Sequence, residues 1–145
     1  MTTIKRARRV PYKAEQLYDL VNDVPAYPQF VPACHESAVV SDNGTEVVAR
    51  LSFSKGGLEK SFTTTNTLTP SSRIDIALHD GPFSKLEGHW LFKAEGDNAC
   101  LVLLELEFEF SSHLVELFFG PIFNQVANKL VDTFCDRAAA VYGGV

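Results

Sequence analysis

The sequence has little of what reactive centres are usually built from. Its three cysteines, Cys34, Cys100 and Cys135, lie far apart and are odd in number. They form no metal or redox motif, and reduced thiols in a cytoplasmic protein are the expected state. The four histidines never fall at His-x-x-x-His spacing, so no metal centre is expected. Lys55-Gly56-Gly57-Leu58-Glu59-Lys60 lacks the Gly-Lys-Ser/Thr ending of a phosphate loop and reads as a flexible hairpin turn. No stretch approaches the roughly 20 apolar residues of a membrane span. The cations near the N-terminus precede no apolar run, so no signal peptide is expected. Positive charge is also short: 13 Lys and Arg stand against 18 Asp and Glu, a net charge of −5. The whole molecule therefore has no bulk attraction for nucleic acid or anionic lipid, and DNA is not an expected partner.

What the chain does have is phenylalanine. Eleven Phe accompany one Met and one Trp, and 46% of the 145 residues are hydrophobic. The length suits one domain over residues 1–145 with a sizeable core. Phe supplies rigid apolar surface, suited to a core or to a pocket for a flat or greasy ligand.

Periodicity places the elements. Residues 3–10 read as a strand, and 12–22 as a helix with Ala14, Leu17, Tyr18 and Val21 on one face. Pro11 fits at or just before its first turn, and Asn22-Asp23 and Pro25 stop it. Tyr27 to Pro32, pinned by prolines, predicts one helical turn and a sharp corner. Six strands follow at 35–42, 45–54, 58–68, 73–79, 86–94 and 99–110, joined by short turns rich in Gly, Asn, Asp and Pro. Short connections imply antiparallel neighbours, a meander of hairpins. In the last strand Val102, Leu104, Leu106, Phe108 and Phe110 oppose Glu105, Glu107 and Glu109, giving one buried and one solvated face. In the strand before it, Leu86, Gly88, Trp90 and Phe92 share a face, and Gly88 leaves a gap able to admit a backbone, a helix or a ligand. The end is helical. Gly120-Pro121 predicts a break or kink between 112–119 and 122–142. The wide apolar stripe of the second part predicts deep burial against a concave sheet. The fold class is thus α+β: a seven-stranded curved antiparallel sheet around a long C-terminal helix, with two short helices between strands one and two. A cavity is expected between sheet and helix. This is the helix-grip layout of START-like domains.

The motifs that carry a family resemblance are Val10-Pro11-Tyr12, Leu20-Val21-Asn22-Asp23-Val24, Tyr27-Pro28-Gln29-Phe30, Phe62-Thr63-Thr64, Asp80-Gly81-Pro82-Phe83 and the Leu-x-Gly-x-Trp-x-Phe run from Leu86 to Phe92. In these the chain resembles the bacterial ribosome association toxins and the coenzyme Q-binding START-like proteins of mitochondria, from Ile4 to Tyr142 and in order. The resemblance implies a cavity for ubiquinone or another isoprenoid lipid, with no required cofactor. For the bacterial branch it implies binding to the large ribosomal subunit and a block of subunit association.

Candidate residues follow. Tyr27, Phe30, Phe83, Trp90, Phe92, Phe108, Phe118 and Phe119 are the expected cavity lining, although aromatics are also ordinary core filler. An apolar mouth is expected near Phe83, Phe118 and Phe119. Lys5, Arg6, Arg8 and Arg9 form the dense positive cluster, and with Lys55 and Lys60 they are the candidate contacts to RNA. The alternative for the cluster is a strand whose charges balance its acidic neighbour. The resemblance places the first strand beside the last, so Lys5 or Arg9 would lie across from the glutamates. Cys34-His35 resembles a nucleophile–base pair, but neighbours on a strand point to opposite faces, so no catalytic residue is expected. Three functions stay open: a ribosome-acting inhibitor, a quinone carrier with a transient membrane contact, and a cyclase or dehydratase.

Overall fold

A computed structural model describes residues 1–143. The order is β1 (Thr2–Val10), α1 (Ala14–Asn22), a short 3-10 helix η1 (Val24–Gln29), β2 (Cys34–Asp42), β3 (Glu46–Lys55), β4 (Leu58–Thr69), β5 (Arg73–Asp80), β6 (Phe83–Ala94), β7 (Cys100–Phe110) and α2 (His113–Tyr142). The seven strands form one antiparallel sheet in the order β1-β7-β6-β5-β4-β3-β2. The fold is the expected α+β arrangement, with the sheet's inner face packed on α2.

Local chemistry sets the element ends. The Gln16 side chain accepts the Lys13 backbone N–H at 2.8 Å, so α1 begins at Ala14, two residues later than the apolar spacing suggests. The Ser112 hydroxyl accepts the Val115 N–H at 3.1 Å and caps α2. The corner after η1 closes through Ala33, whose φ of 65° lies in the left-handed region. β6 begins at Phe83 rather than Leu86, because Phe83 pairs with Phe110 across an irregular register step.

One expectation fails. Helix α2 runs unbroken through Gly120-Pro121. Proline crowds the Cβ of the residue before it, and Gly120 has none, so the helical conformation is retained. The missing Pro121 N–H lies on the exposed side of the helix, where water reaches the freed carbonyl. At Gly88 one of the expected occupants, a neighbouring backbone, takes the space. A Cβ there would fall 2.1 Å from the Glu105 carbonyl oxygen and 2.9 Å from the Leu106 Cα.

The core joins the inner faces of β6 and β7 to α1 and α2. Trp90, Phe92, Val102, Leu104 and Phe108 pack with Leu17, Phe119, Phe123 and Phe134. Edge-on ring contacts bind this set: Phe108 lies 4.8 Å and Phe83 4.9 Å from Phe123 between centroids.

Candidate functional site

Curvature of the sheet away from α2 leaves one apolar cavity of about 100 Å³. β3 supplies Ala49, Leu51 and Phe53. β4 supplies Phe62, Thr64 and Asn66. Trp90 and Leu106 form the floor, and Phe123, Val126, Ala127, Leu130 and Phe134 of α2 form the roof. Tyr27 and Val31 close the η1 end. Tyr27 is fixed by a hydrogen bond from its hydroxyl to the Val21 carbonyl, and its ring meets Phe134 edge-on at 5.4 Å. Burial pushes the Tyr27 hydroxyl pKa upward, so it stays protonated and donates.

Of the eight aromatics expected to line the cavity, Tyr27 and Trp90 do so. Phe83, Phe92, Phe108 and Phe119 are buried in the surrounding core. Phe30 packs on Phe134 at 5.3 Å, behind the wall. Phe118 is the correction: it is 58% exposed, because its position on α2 faces away from the sheet. The expected apolar mouth at Phe83, Phe118 and Phe119 is therefore not formed. Two of the three are buried, and Phe118 instead shares an exposed apolar turn with Leu114 and Leu117.

Sequence reasoning missed Phe53, Phe62, Phe123 and Phe134 as lining residues. It also missed the polar pair Thr64 and Asn66. The available signal was alternation along β4, where Phe62, Thr64, Asn66 and Leu68 share the inner face.

The basic residues are divided by the pleat. Arg6 and Arg8 stand on the inner-face edge of β1 and reach α2. Arg6 donates to Asn128 Oδ1 at 2.7 Å, and Arg8 reaches Asp132 at 3.1 Å and Asp136 at 3.3 Å. Arg9 pairs with Glu95 at 2.8 Å. Lys5 stands opposite Glu105 in the β1–β7 ladder, as expected. Arg9 lies opposite Leu101 and faces none of the three glutamates. Glu107 instead pairs with Lys85 of β6. Two of the four cations are thus matched by acids, Arg8 by α2 and Arg9 by Glu95, while Arg6 is held by the uncharged Asn128. Lys55 lies apart, exposed at the β3–β4 turn, and donates to Gln125 Oε1 at 3.3 Å. With Gln125, Ile122 and Lys129 it borders a surface groove along α2. Lys60 stands half-buried on β4.

Cys34 is buried, and burial pushes its thiol pKa up to about 11. His35 makes a 3.5 Å contact to Glu59. The two do not form a nucleophile–base pair. Among the described residues no group of three His, Cys, Asp or Glu is placed to hold a metal ion. Among the described residues no helix is long and apolar enough to cross a membrane.

Comparison with known proteins adds kinship to this geometry. Residues 10–135 match the family described as polyketide cyclase/dehydrase and lipid transport. The ribosome association toxin RatA of Pseudomonas aeruginosa is 45% identical over 142 residues, covering 98% of this chain and 99% of that protein. The mitochondrial coenzyme Q-binding protein COQ10 of Drosophila melanogaster is 32% identical over 132 residues, 88% of this chain but 51% of that protein. The solution structure of the 18 kDa protein CC1736 from Caulobacter crescentus superposes with a TM-score of 0.74 at 32% identity, covering 99% of this chain and 100% of that one. A START superfamily protein from Mycobacterium smegmatis shares the fold, with a TM-score of 0.71 at 20% identity over 92% of each chain.

Proposed function

The chain belongs to the polyketide cyclase/dehydrase and lipid-transport family, beside the RatA ribosome association toxins, and from that premise we propose that it is a non-enzymatic inhibitor of translation that binds the large ribosomal subunit and blocks its joining to the small one. The observation that carries this reading is the end-to-end match: 45% identity covering 98% of this chain and 99% of its toxin relative. The cavity agrees with a binding role. No carboxylate, histidine or thiol is among its lining residues, and the Tyr27 hydroxyl there is committed to the Val21 carbonyl, which supports a binding role over acid–base chemistry.

The carrier reading rests on the more distant coenzyme Q-binding relative. Sites for drug-sized ligands occupy roughly 300–1,000 Å³, whereas this cavity is about 100 Å³. A quinone bearing a long isoprenoid tail needs α2 or η1 to move before it fits. The geometry therefore favours the ribosome-acting reading.

Sucrose-gradient sedimentation of lysates after induction in a bacterial host tests it. The expected result is a rise in free subunits, with the protein sedimenting on the large one. Unchanged profiles together with an isoprenoid quinone in lipid extracts of the purified protein would overturn the proposal in favour of the carrier.

A further inference from the structure

Helix α2 opens with a turn that the fold leaves uncovered. Leu114, Leu117 and Phe118 are 65%, 58% and 58% exposed. Their spacing sets them side by side on the helix surface. From Phe118 the same stripe of α2 continues, turn by turn, through Ile122, Gln125 and Lys129. Those three residues form one wall of the surface groove, with Lys55 and the corner at Pro32 across from them. The exposed ring therefore stands one helical turn from the groove. Lys55 donates to Gln125 Oε1 at 3.3 Å, which leaves the amide nitrogen free to donate in turn. The acids nearby are occupied or turned away. Asp132 and Asp136 are paired with Arg8, and Glu59 contacts His35. Glu116 lies on the Gly120 side of the helix, its Cγ 3.7 Å from where a Gly120 Cβ would stand.

We propose that this stripe of α2 is a docking face for a single-stranded loop of RNA, whose phosphates lie in the groove between Lys55 and Lys129 while one unstacked base packs on Phe118. Each part answers one need of such a ligand. Two cations without a carboxylate partner among the described residues complement the phosphate charge. The groove, about 330 Å³ in volume, is concave enough to hold a strand. An exposed aromatic ring beside a basic groove is the arrangement on which splayed bases stack. A paired duplex offers no free base face to the ring. An apolar protein surface would cover the ring but offer nothing to the two cations, and a bilayer is too broad to enter the groove. The inference rests on the ribosome reading and names the chemistry of the contact there.

Two substitutions at Phe118 separate stacking from plain apolar contact. Phe118→Tyr keeps a flat ring, whereas Phe118→Leu keeps apolar surface without one. The position is exposed, so both variants should fold, as circular dichroism would show. The full chain, labelled at its N-terminus with a fluorophore, is titrated with isolated large ribosomal subunits, and dissociation constants are read from anisotropy. The bound subunits are then probed with base-specific chemical reagents. The expected result is near-equal affinity for the unsubstituted chain and Phe118→Tyr. Phe118→Leu should bind about tenfold more weakly, the scale of one base stacked on an aromatic side chain. At least one unpaired base should be protected by the unsubstituted chain and by Phe118→Tyr, and become reactive again with Phe118→Leu. Binding without any base protection, or affinity and protection that survive in Phe118→Leu, would overturn this inference and leave the ribosome reading standing, with a protein contact at the apolar turn. No binding of the unsubstituted chain to the large subunit would overturn both.

Discussion

At the scale of single residues, Gly88 fixes how closely β6 and β7 approach. The atoms a Cβ would meet belong to the β7 backbone, which cannot swing aside as a side-chain tip would. Gly88→Ala should therefore lower stability by about 1–3 kcal/mol, the range for overpacking, read as a lower urea midpoint. An unchanged midpoint would mean that the two strands separate there at no cost. The buried thiols give a second residue-scale prediction. Burial raises Cys34 and Cys135 from an ordinary value of 9.0 to about 11. Between pH 9 and 11 the unfolded chain gives up these protons while the folded chain retains them. Their contribution is thus full below pH 9 and is lost as pH rises toward 11. The urea midpoint should fall over that window, and less steeply in Cys34→Ala and Cys135→Ala. A slope unaltered by both substitutions would assign the alkaline loss to other groups. The same burial explains the limits of reading aromatics from sequence. Alternation showed that Trp90 faces inward, but not that Phe92, on the same face, would stack on Trp90 and meet Tyr18 edge-on rather than border the cavity. Choosing among inward rings depends on how they interdigitate, which a single strand's pattern does not encode.

At the scale of elements, the strands were legible because period-two alternation and turn residues are local signals. Helix α2 was misread because Gly-Pro is also local and has two readings. Proline lacks a donor and ends helices, yet the glycine before it removes the clash that usually makes it do so. This pairing predicts coupling. A Cβ on Gly120 meets nothing closer than 3.6 Å, at a Phe110 ring carbon, so there is room for alanine. Gly120→Ala alone should nonetheless destabilise, by roughly 1 kcal/mol, because the clash with Pro121 returns. In the Pro121→Ala background the same change should stabilise by about 0.5–1 kcal/mol, the ordinary helix preference of alanine over glycine. Thermal or urea unfolding of the four proteins completes the cycle, and additive effects would show that glycine does not accommodate the proline. The β1–α2 contacts work on a smaller scale. Arg8 reaches Asp132 and Asp136 with its side chain 43% exposed. Arg8→Ala should therefore cost under about 1 kcal/mol, as exposed ion pairs do.

At the scale of the whole molecule, the meander from β2 to β7 was readable from its short turns. The pair β1–β7 was not, because it joins the first strand to the last across most of the chain and leaves no local trace. That pairing rested on family resemblance, and it decides how charge is arranged. It places Lys5 beside Glu105 on the outer face, which also carries Glu107, Glu87 and Asp75, and it turns Arg6 and Arg8 toward α2. With a net charge of −5, a partner rich in phosphate is repelled by the outer face and must approach elsewhere. One side that offers two cations without a carboxylate partner among the described residues is the groove where Lys55 and Lys129 flank Gln125. On the proposed ribosome reading, this groove rather than the β1 cluster meets RNA. The double substitution Lys55→Glu, Lys129→Glu should weaken co-sedimentation with the large subunit by at least about tenfold. Loss of two phosphate contacts should also lower the slope of log affinity against log salt by about 2. Arg6→Ala, Arg8→Ala should leave both quantities nearly unchanged, because those side chains are already held by α2. The opposite pattern, with the β1 variant losing binding and the groove variant keeping it, would move the interface to the sheet edge and require the Arg8 pairs to open on docking.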